Sequence, residues 1–358
     1  MRILICTGIF PPDIGGPAQY AKAIAEEFSK RGIDVQVITY ADFAISKSKI
    51  LISKQILNPK FQIIFISKIL PKGIRHLLYF LELIPFVLKT DLIIALDTFS
   101  VGFPTVLAGK IFGKKTILRV GGDFLWETCV EKTGNLMTLK DFYAEMPRLT
   151  LKQRLIYFLQ KFALRNCAAL GFSTTWQKEI FEKNYKLNPK KSFIIENYYG
   201  EKIDSSEPKE KNFIFAGRPL KLKNINLLKE IFHELGKEKF DVQLEIIENA
   251  PYEELMEKIK KCYAVILPSI SDISPNFILD AIRANKPFIL TKETGLYDKL
   301  KGAGIFVDPF NKNDIKEKIL LLADDKNYKE YKEKVKNFNF THSWEEIANE
   351  FLEIYKKL

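Results

Sequence analysis

A short apolar run, Phe213–Ala216, leads into Gly217-Arg218-Pro219-Leu220-Lys221-Leu222-Lys223-Asn224. A glycine and two cations between a strand and a helix can bind a diphosphate, Arg218 as a planar fork and Lys223 as a point charge. A solvated basic loop accounts for the same residues equally well. Further on stands Ser269-Ile-Ser271-Asp272-Ile-Ser274-Pro275-Asn276-Phe277-Ile-Leu-Asp280. Ser274 reads as a helix N-cap and Pro275 as the first helical residue. The amides of Asn276 and Phe277 then point out of that terminus towards an anion. Asp272 precedes the cap and Asp280 lies more than one turn inside the helix. Carboxylates there can hold hydroxyl groups on either side of a bound diphosphate. A loop turn for Asp272 and a lysine partner for Asp280 are the plainer readings. Lys286-Pro287 and Thr291-Lys-Glu-Thr294-Gly295 follow, the latter as a loop after the next strand.

The loop near the N-terminus, Gly8-Ile-Phe-Pro-Pro-Asp-Ile-Gly15-Gly16, is not G-x-G-x-x-G, which disfavours a dinucleotide cofactor. No G-x-x-x-x-G-K-[ST] occurs, so P-loop chemistry is excluded. What remains is a glycine pair ahead of a helix, where bare amides can approach an anion; a tight turn needing positive φ explains it as well. Four scattered cysteines (Cys6, Cys129, Cys167, Cys262) without C-x-x-C spacing, and three isolated histidines (His76, His233, His342), suggest neither disulfides nor a metal site.

These residues need elements to position them. Ile3–Thr7, Val35–Thr39, Ile63–Ile66, Leu92–Leu96, Thr116–Val120, Ala169–Ser173 and Phe193–Glu196 read as strands alternating with helical stretches such as Ala18–Arg31. That order predicts a parallel sheet covered by helices on both faces. Glu201–Asn212 is polar and reads as a linker. A second alternation follows: strands Phe213–Ala216, Val242–Ile247, Ala264–Pro268, Phe288–Leu290 and Gly304–Val307, with helices Ile225–Gly236, Tyr252–Lys261, Pro275–Ala284 and one from Asn313. The expected fold class is α/β, with two Rossmann-like doubly wound domains. The expected division is a basic first domain (1–200), a linker (201–212), a second domain (213–340) and a terminal helix (341–358).

The chain has 358 residues, enough for two such cores, and 47% are hydrophobic. Thr98–Gly109, the longest stretch near the middle without an ionisable residue, is twelve residues, too short to span a bilayer. The N-terminus reads as a buried strand rather than a signal peptide. These features, with the unpaired cysteines, suit the cytoplasm. Residues 1–200 carry 28 Lys and Arg against 16 Asp and Glu, whereas 201–358 carry 27 against 28. The net charge of +11 therefore resides in the first half, which points to an anionic partner there.

Taken in order, these motifs resemble the family-4 glycosyltransferases, retaining enzymes of the GT-B fold that use nucleoside-diphosphate sugars. The resemblance covers nearly the whole chain. It includes the Gly15-Gly16 loop, Gly217-Arg218…Lys223, the carboxylate-x7-carboxylate pair Asp272 and Asp280, and Phe340-Thr-His-Ser-Trp344 before a terminal helix that crosses back to the first domain. It implies two domains facing a central cleft. It also implies that Arg218 and Lys223 neutralise the departing diphosphate, Asp280 binds the ribose and Asp272 holds sugar hydroxyls. The amides after Ser274 and of Gly15 and Gly16 complete the phosphate cradle. The chain departs from the family where Glu is usual at positions 272 and 280, and where Gly121 stands in place of a histidine before Gly122-Asp123. Asp123 is the candidate for that histidine's role. Trp126, Glu127 and Asp97 are acceptor-side candidates, and Trp126-Glu127 is similar to a subset of bacterial sugar transferases.

The chemistry expected is transfer of a sugar to a hydroxyl acceptor with retention, without metal or cofactor, the departing charge being met by preplaced donors. From Met146 to Lys178 no acidic residue occurs. Arg154, Lys161 and Arg165 share a helix face beside Leu155, Phe158, Leu159 and Phe162, and Lys72, Arg75 and Lys89 flank Leu77 and Leu81. Basic amphipathic helices of this kind can lie on an anionic membrane and meet a lipid-linked or oligosaccharide acceptor in surface polysaccharide or glycolipid synthesis. The same residues also read as core aromatics and a solvated face. The alternatives are a nucleotide-sugar epimerase on the same fold, or a non-catalytic module binding anionic glycan or nucleic acid, although no nucleic-acid-binding motif is present.

Overall fold

The computed structural model describes residues 1–13, 15–41, 53–57, 61–69, 71–248 and 250–358, with 53–57 and Lys72 described by backbone alone. In chain order the first elements are β1 (Arg2–Thr7), α1 (Gly16–Lys30), β2 (Asp34–Ala41), β3 (Ser53–Leu57), β4 (Gln62–Ser67), α2 (Lys72–Lys89) and β5 (Leu92–Ala95). Next come α3 (Gly102–Ile111), β6 (Lys115–Val120), α4 (Phe124–Thr133), α5 (Leu139–Glu145), α6 (Leu151–Asn166), β7 (Ala169–Phe172), α7 (Thr175–Tyr185) and β8 (Ser192–Ile194). The remainder is β9 (Asn212–Ala216), α8 (Ile225–Lys237), β10 (Gln243–Ile247), α9 (Tyr252–Lys261), β11 (Ala264–Leu267), α10 (Asn276–Arg283), β12 (Phe288–Thr291), α11 (Tyr297–Leu300), β13 (Ile305–Val307), α12 (Lys312–Ala323), α13 (Asp325–Asn337) and α14 (Trp344–Lys356).

The chain forms two compact units. One comprises Met1–Leu125, Leu149–Glu196 and Trp344–Leu358, the other Trp126–Arg148 and Asn197–Ser343. The segment 126–148, which the sequence reading keeps with the first domain, thus clusters with the second, and α4 straddles the boundary.

The first unit holds an eight-stranded sheet in the order β3-β4-β2-β1-β5-β6-β7-β8. Its strands are parallel except β3, which pairs antiparallel to β4 with Ile56 opposite Ile63. The expected sheet is all parallel. The short connection from Leu57 to Gln62 leaves no room for the crossover a parallel pair needs. Central strands are apolar throughout, as burial on both faces demands: Ile3, Leu4, Ile5, Ile93 and Ile94 have no exposed surface. Helices α2, α3 and α6 lie side by side on one face. On the other, α14 packs against α1, with the Tyr20 and Trp344 rings 5.2 Å apart and Arg31 Nη1 donating to Asn349 Oδ1 at 2.6 Å. The terminal helix therefore belongs to the first unit, as expected.

The second unit holds five parallel strands in the order β10-β9-β11-β12-β13. Phe213, Ile214, Phe215, Val265 and Ile266 form the fully buried centre of its core. Helix α9 shows why these segments are helical. Glu253 and Glu254 occupy its first turn and Lys258, Lys260 and Lys261 its last, each complementing the helix dipole.

Candidate active site

Numbered from β9, the second sheet runs 2-1-3-4-5. In such a sheet the strand order reverses between the first and third strands, and ligands bind beyond the carboxyl ends of that pair. Those strands are β9 and β11. The loop after β9 is Gly217–Asn224, and the loop after β11 is Pro268–Pro275. The sequence candidates Arg218, Lys223, Asp272 and Ser274 thus sit on the two loops that flank the switch point.

A tight turn at Lys221–Lys223 shapes the first loop. Asn224, in the left-handed region at φ 61°, ends it and opens α8. The Asn224 side chain donates to the carbonyls of Pro268 and Pro309, and Ile270 N donates to Leu222 O, so the two loops are tied together. Lys223 Nζ lies 2.6 Å from Asp272 Oδ2, with both side chains largely buried. Ser269 Oγ adds a longer contact to the same carboxylate oxygen at 3.4 Å. Asp272 N donates to Glu293 O, and a bridge to Thr294 ties the Asp272 loop to the loop after β12.

Arg218 differs from Lys223. Its side chain is 67% exposed and pairs with Glu127 at 3.2 Å. An exposed ion pair contributes little stability, so a phosphate can displace that carboxylate at low cost. Glu127, read from sequence as an acceptor-side residue, is thus a partner of the basic loop. Trp126 is buried and donates its indole N–H to Met137 O at 2.9 Å, which fixes the chain ahead of α5.

At α10 the structure corrects one expectation. The helix begins at Asn276, and Pro275 (φ −71°, ψ 110°) takes the cap position without a side-chain cap bond, so Ser274 is not the N-cap. Asn197 Nδ2 donates to both Ser274 O (2.9 Å) and Asn276 Oδ1 (2.8 Å) and holds the entry to the helix. The first-turn amides, those of Asn276 and Phe277 among them, lack intrahelical acceptors by construction. Phe277 itself packs into the core.

Asp280 is 8% exposed and accepts from Tyr252 Oη at 2.8 Å and Arg283 Nη1 at 3.3 Å, all on Oδ1. The partner is therefore an arginine and a tyrosine rather than a lysine. Among the described residues Oδ2 has no partner. Burial pushes the Asp280 carboxyl up to about 6, against the opposing pull of Tyr252 and Arg283.

The first unit has its own switch point, between β1 and β5. Gly15 (φ 145°) precedes α1 on the loop after β1 and, with Gly16 at the first helical position, leaves that helix terminus without a side-chain cap. Asp97 follows β5. Its carboxylate accepts from the amides of Phe99 (2.8 Å), Val101 (3.1 Å) and Gly102 (3.2 Å) and from Ser100 Oγ (2.6 Å). That is the work of a helix-start cap for α3, so Asp97 has a structural role here. Asp123 is buried at the head of α4.

Further groups, not among the sequence candidates, gather near the carboxyl ends of β1, β2, β4 and β5 and on α2 and α4. Asp13 pairs with Lys68 at 2.8 Å, Tyr40 Oη bonds His76 Nδ1 at 3.0 Å, and Phe99 stacks on Phe124 at 5.1 Å. Arg75 lies over the Tyr40 ring at 4.9 Å. It therefore belongs to this cluster rather than to an outward basic face. Arg165 donates to Tyr185 O at 2.8 Å and braces the end of α7. Arg154 is exposed, and Lys161 is half-buried over Tyr157; the side chain of Lys72 lies outside the described residues.

Among the described residues no group of His, Cys, Asp or Glu is disposed to hold a metal ion. Among the same residues no helix is long and apolar enough to cross a membrane.

No protein-family model matches the chain. The chain is similar to the uncharacterized glycosyltransferase MJ1178 of Methanocaldococcus jannaschii, at 24% identity over 246 residues, 63% of this chain and 68% of that protein. Its fold is similar to sucrose-phosphate synthase from Thermosynechococcus elongatus, with a TM-score of 0.74, 13% identity and coverage of 99% and 98% of the two chains. It is also similar to WaaG, a glycosyltransferase involved in lipopolysaccharide biosynthesis, with a TM-score of 0.67, 13% identity and 99% of both chains covered. The chain has the GT-B fold of glycosyltransferases, built from two Rossmann-like units.

Proposed function

We propose that the protein is a retaining glycosyltransferase that moves a sugar from a nucleoside diphosphate to a hydroxyl acceptor. The observation that carries this reading is the ion pair Lys223–Asp272 at the switch point of the second unit, between the two loops where such a fold takes its ligand. A fixed cation and an exchangeable one, Arg218, meet the charge that grows on a departing diphosphate. Preplaced cations in a partly dehydrated site are the largest source of rate available to such a reaction. The first amides of α10 add to them. Asp280 offers Oδ2 to a ribose hydroxyl, and Asp272, whose Oδ1 is without a partner among the described residues, offers that oxygen to the sugar.

The chemistry needs no metal because two cations and a helix terminus already neutralise the diphosphate. The acceptor attacks on the face the diphosphate leaves, and a diphosphate oxygen takes its proton. The two aspartates are not a hydrolase acid and base pair, since one is assigned to ribose and the other to sugar hydroxyls.

The acceptor is read as a lipid-linked saccharide met at a membrane surface on the cytoplasmic side. Two exposed apolar stripes support this. Ile74, Leu77, Leu81 and Leu88 line one side of α2, and Leu151, Leu155 and Phe158 one side of α6, where Lys152 and Arg154 are exposed and no acidic residue occurs. Apolar side chains edged by cations match an anionic lipid interface.

The test is product analysis. Incubation with nucleotide sugars and saccharide-bearing lipid in EDTA, followed by NMR of the anomeric proton, is expected to give the donor's configuration in the new linkage. An inverted linkage, or epimerised donor without transfer, would overturn the reading.

A further inference from the structure

The turn Lys221–Lys223, which ends on the diphosphate-facing lysine, begins with backbone amides that its own sequence leaves uncapped. The residue at its cap position is Leu220, whose side chain has no acceptor. The amides are satisfied from ninety positions away. Glu131 Oε2 accepts from Lys221 N at 3.1 Å and Glu131 Oε1 from Leu222 N at 3.0 Å. One carboxylate thus takes two adjacent amides, a charge-assisted bidentate cap. One turn earlier on α4, Glu127 pairs with Arg218. Leu139 N, at the start of α5, donates to the buried Ser271 Oγ at 2.9 Å, next to Asp272. The segment 126–148 therefore bonds to both switch-point loops of the second unit, and it clusters with that unit rather than with the chain around it.

We infer that Glu131 is a positioning residue for the donor site: it holds the 221–223 turn so that Lys223 is placed on Asp272 and, when donor is bound, on the diphosphate. Glu131 touches no substrate in this role. A carboxylate rather than a hydroxyl is suited to it, because a single side chain must serve two amides at once. The inference rests on the donor reading above, in which Lys223 meets the diphosphate.

The test uses the full chain, with UDP, GDP and ADP as probes, calorimetry to read affinity, and thermal melting to confirm folding. Whichever nucleotide the wild type binds is expected to bind about tenfold more weakly to E131A. E131Q, which keeps an oxygen acceptor, should lose about threefold. The decisive readout is coupling: in a K223A background the E131A substitution should cost less than twofold, because the residue it positions is gone. Should E131A not fold, E131Q carries the same cycle, its threefold loss vanishing when Lys223 is absent. Unchanged binding by E131A and E131Q would overturn the inference while leaving the donor reading intact. A loss of equal size with and without Lys223 would do the same, assigning Glu131 to general stability. A wild type that binds none of the three nucleotides would overturn the donor reading and this inference with it.

Discussion

Lys223 Nζ and Asp272 Oδ2 stand 2.6 Å apart, on loops that follow different strands and 49 positions apart in sequence. The cation assigned to the diphosphate and the carboxylate assigned to the sugar thus form one ion pair. Each holds the other in place, so neither has to be positioned anew when the donor binds beside the pair. This preorganisation is what makes charged groups effective in a partly buried site.

It follows that the two residues act as a unit. Lys223→Ala leaves the Asp272 carboxylate largely buried without its cation, and Asp272→Ala does the converse. Each single variant is expected to lower transfer at least a hundredfold, and the double variant hardly further. Steady-state rates on all three proteins check this; strictly multiplicative losses would show that the pair is not coupled.

Asp280 makes stability depend on pH in a stated direction. Its folded carboxyl titrates near 6 because of burial, above the roughly 3.9 of an unfolded chain. Between those values the native state holds more protons than the unfolded one, so stability falls as pH rises from about 4 to about 6 and the loss persists above. Asp280→Asn removes the charge yet keeps an acceptor for Tyr252. It is expected to raise the melting temperature at pH 7.5, by a free energy on the order of 2 kcal/mol, and to flatten the slope between pH 4 and 6. The same variant should weaken nucleotide binding. A melting point below wild type at pH 7.5 would contradict the account.

On the exposed side of α6, Leu151→Ser/Leu155→Ser/Phe158→Ser removes apolar groups that face mostly solvent, these residues being 84%, 57% and 64% exposed. The triple variant should keep its melting temperature and its nucleotide affinity. It should lose sedimentation with vesicles containing anionic lipid, and the wild type should lose it in high salt. Equal sedimentation of both proteins would remove the membrane from the reading.

Two glycines give a sharp stability contrast. A Cβ on Gly102 would meet the Asp97 carbonyl oxygen at 2.0 Å, at the start of α3. A Cβ on Gly236, inside α8, would meet nothing within 4 Å. Gly102→Ala is expected to cost more than about 3 kcal/mol, the backbone having to move, and Gly236→Ala to gain about 0.5–1 kcal/mol. Denaturant titration of both reads the difference.

What was legible in the sequence was local. Helix Tyr252–Lys261 stands where its apolar spacing and charged ends put it, and each strand of the second unit lies within two residues of its apolar run. The alternation also puts the loops bearing Arg218, Lys223 and Asp272 after strands, but that they flank the switch point depends on a strand order that alternation alone does not fix. What could not be read is what long-range contact decides. Arg75 sits in a cationic helix pattern, yet Tyr40 from β2 draws it inward. Asp97 looks like a free carboxylate until the three amides that converge on it are seen. Ser274 has the composition of a cap, but Asn197 holds its carbonyl and the helix opens one residue later. Tyr252 on Asp280 and Glu131 on the 221–223 turn carry no local signal at all. Only the periodicity that sets two elements side by side could have hinted at them.

The central claim is that the switch-point cations of the second unit bind a diphosphate without metal. Calorimetric titration of the protein with UDP, GDP and ADP in EDTA tests it most directly, with Arg218→Ala alongside. The account predicts micromolar binding of one nucleotide in EDTA and at least tenfold weaker binding by Arg218→Ala. Binding that requires a divalent cation, or that Arg218→Ala leaves untouched, would contradict it.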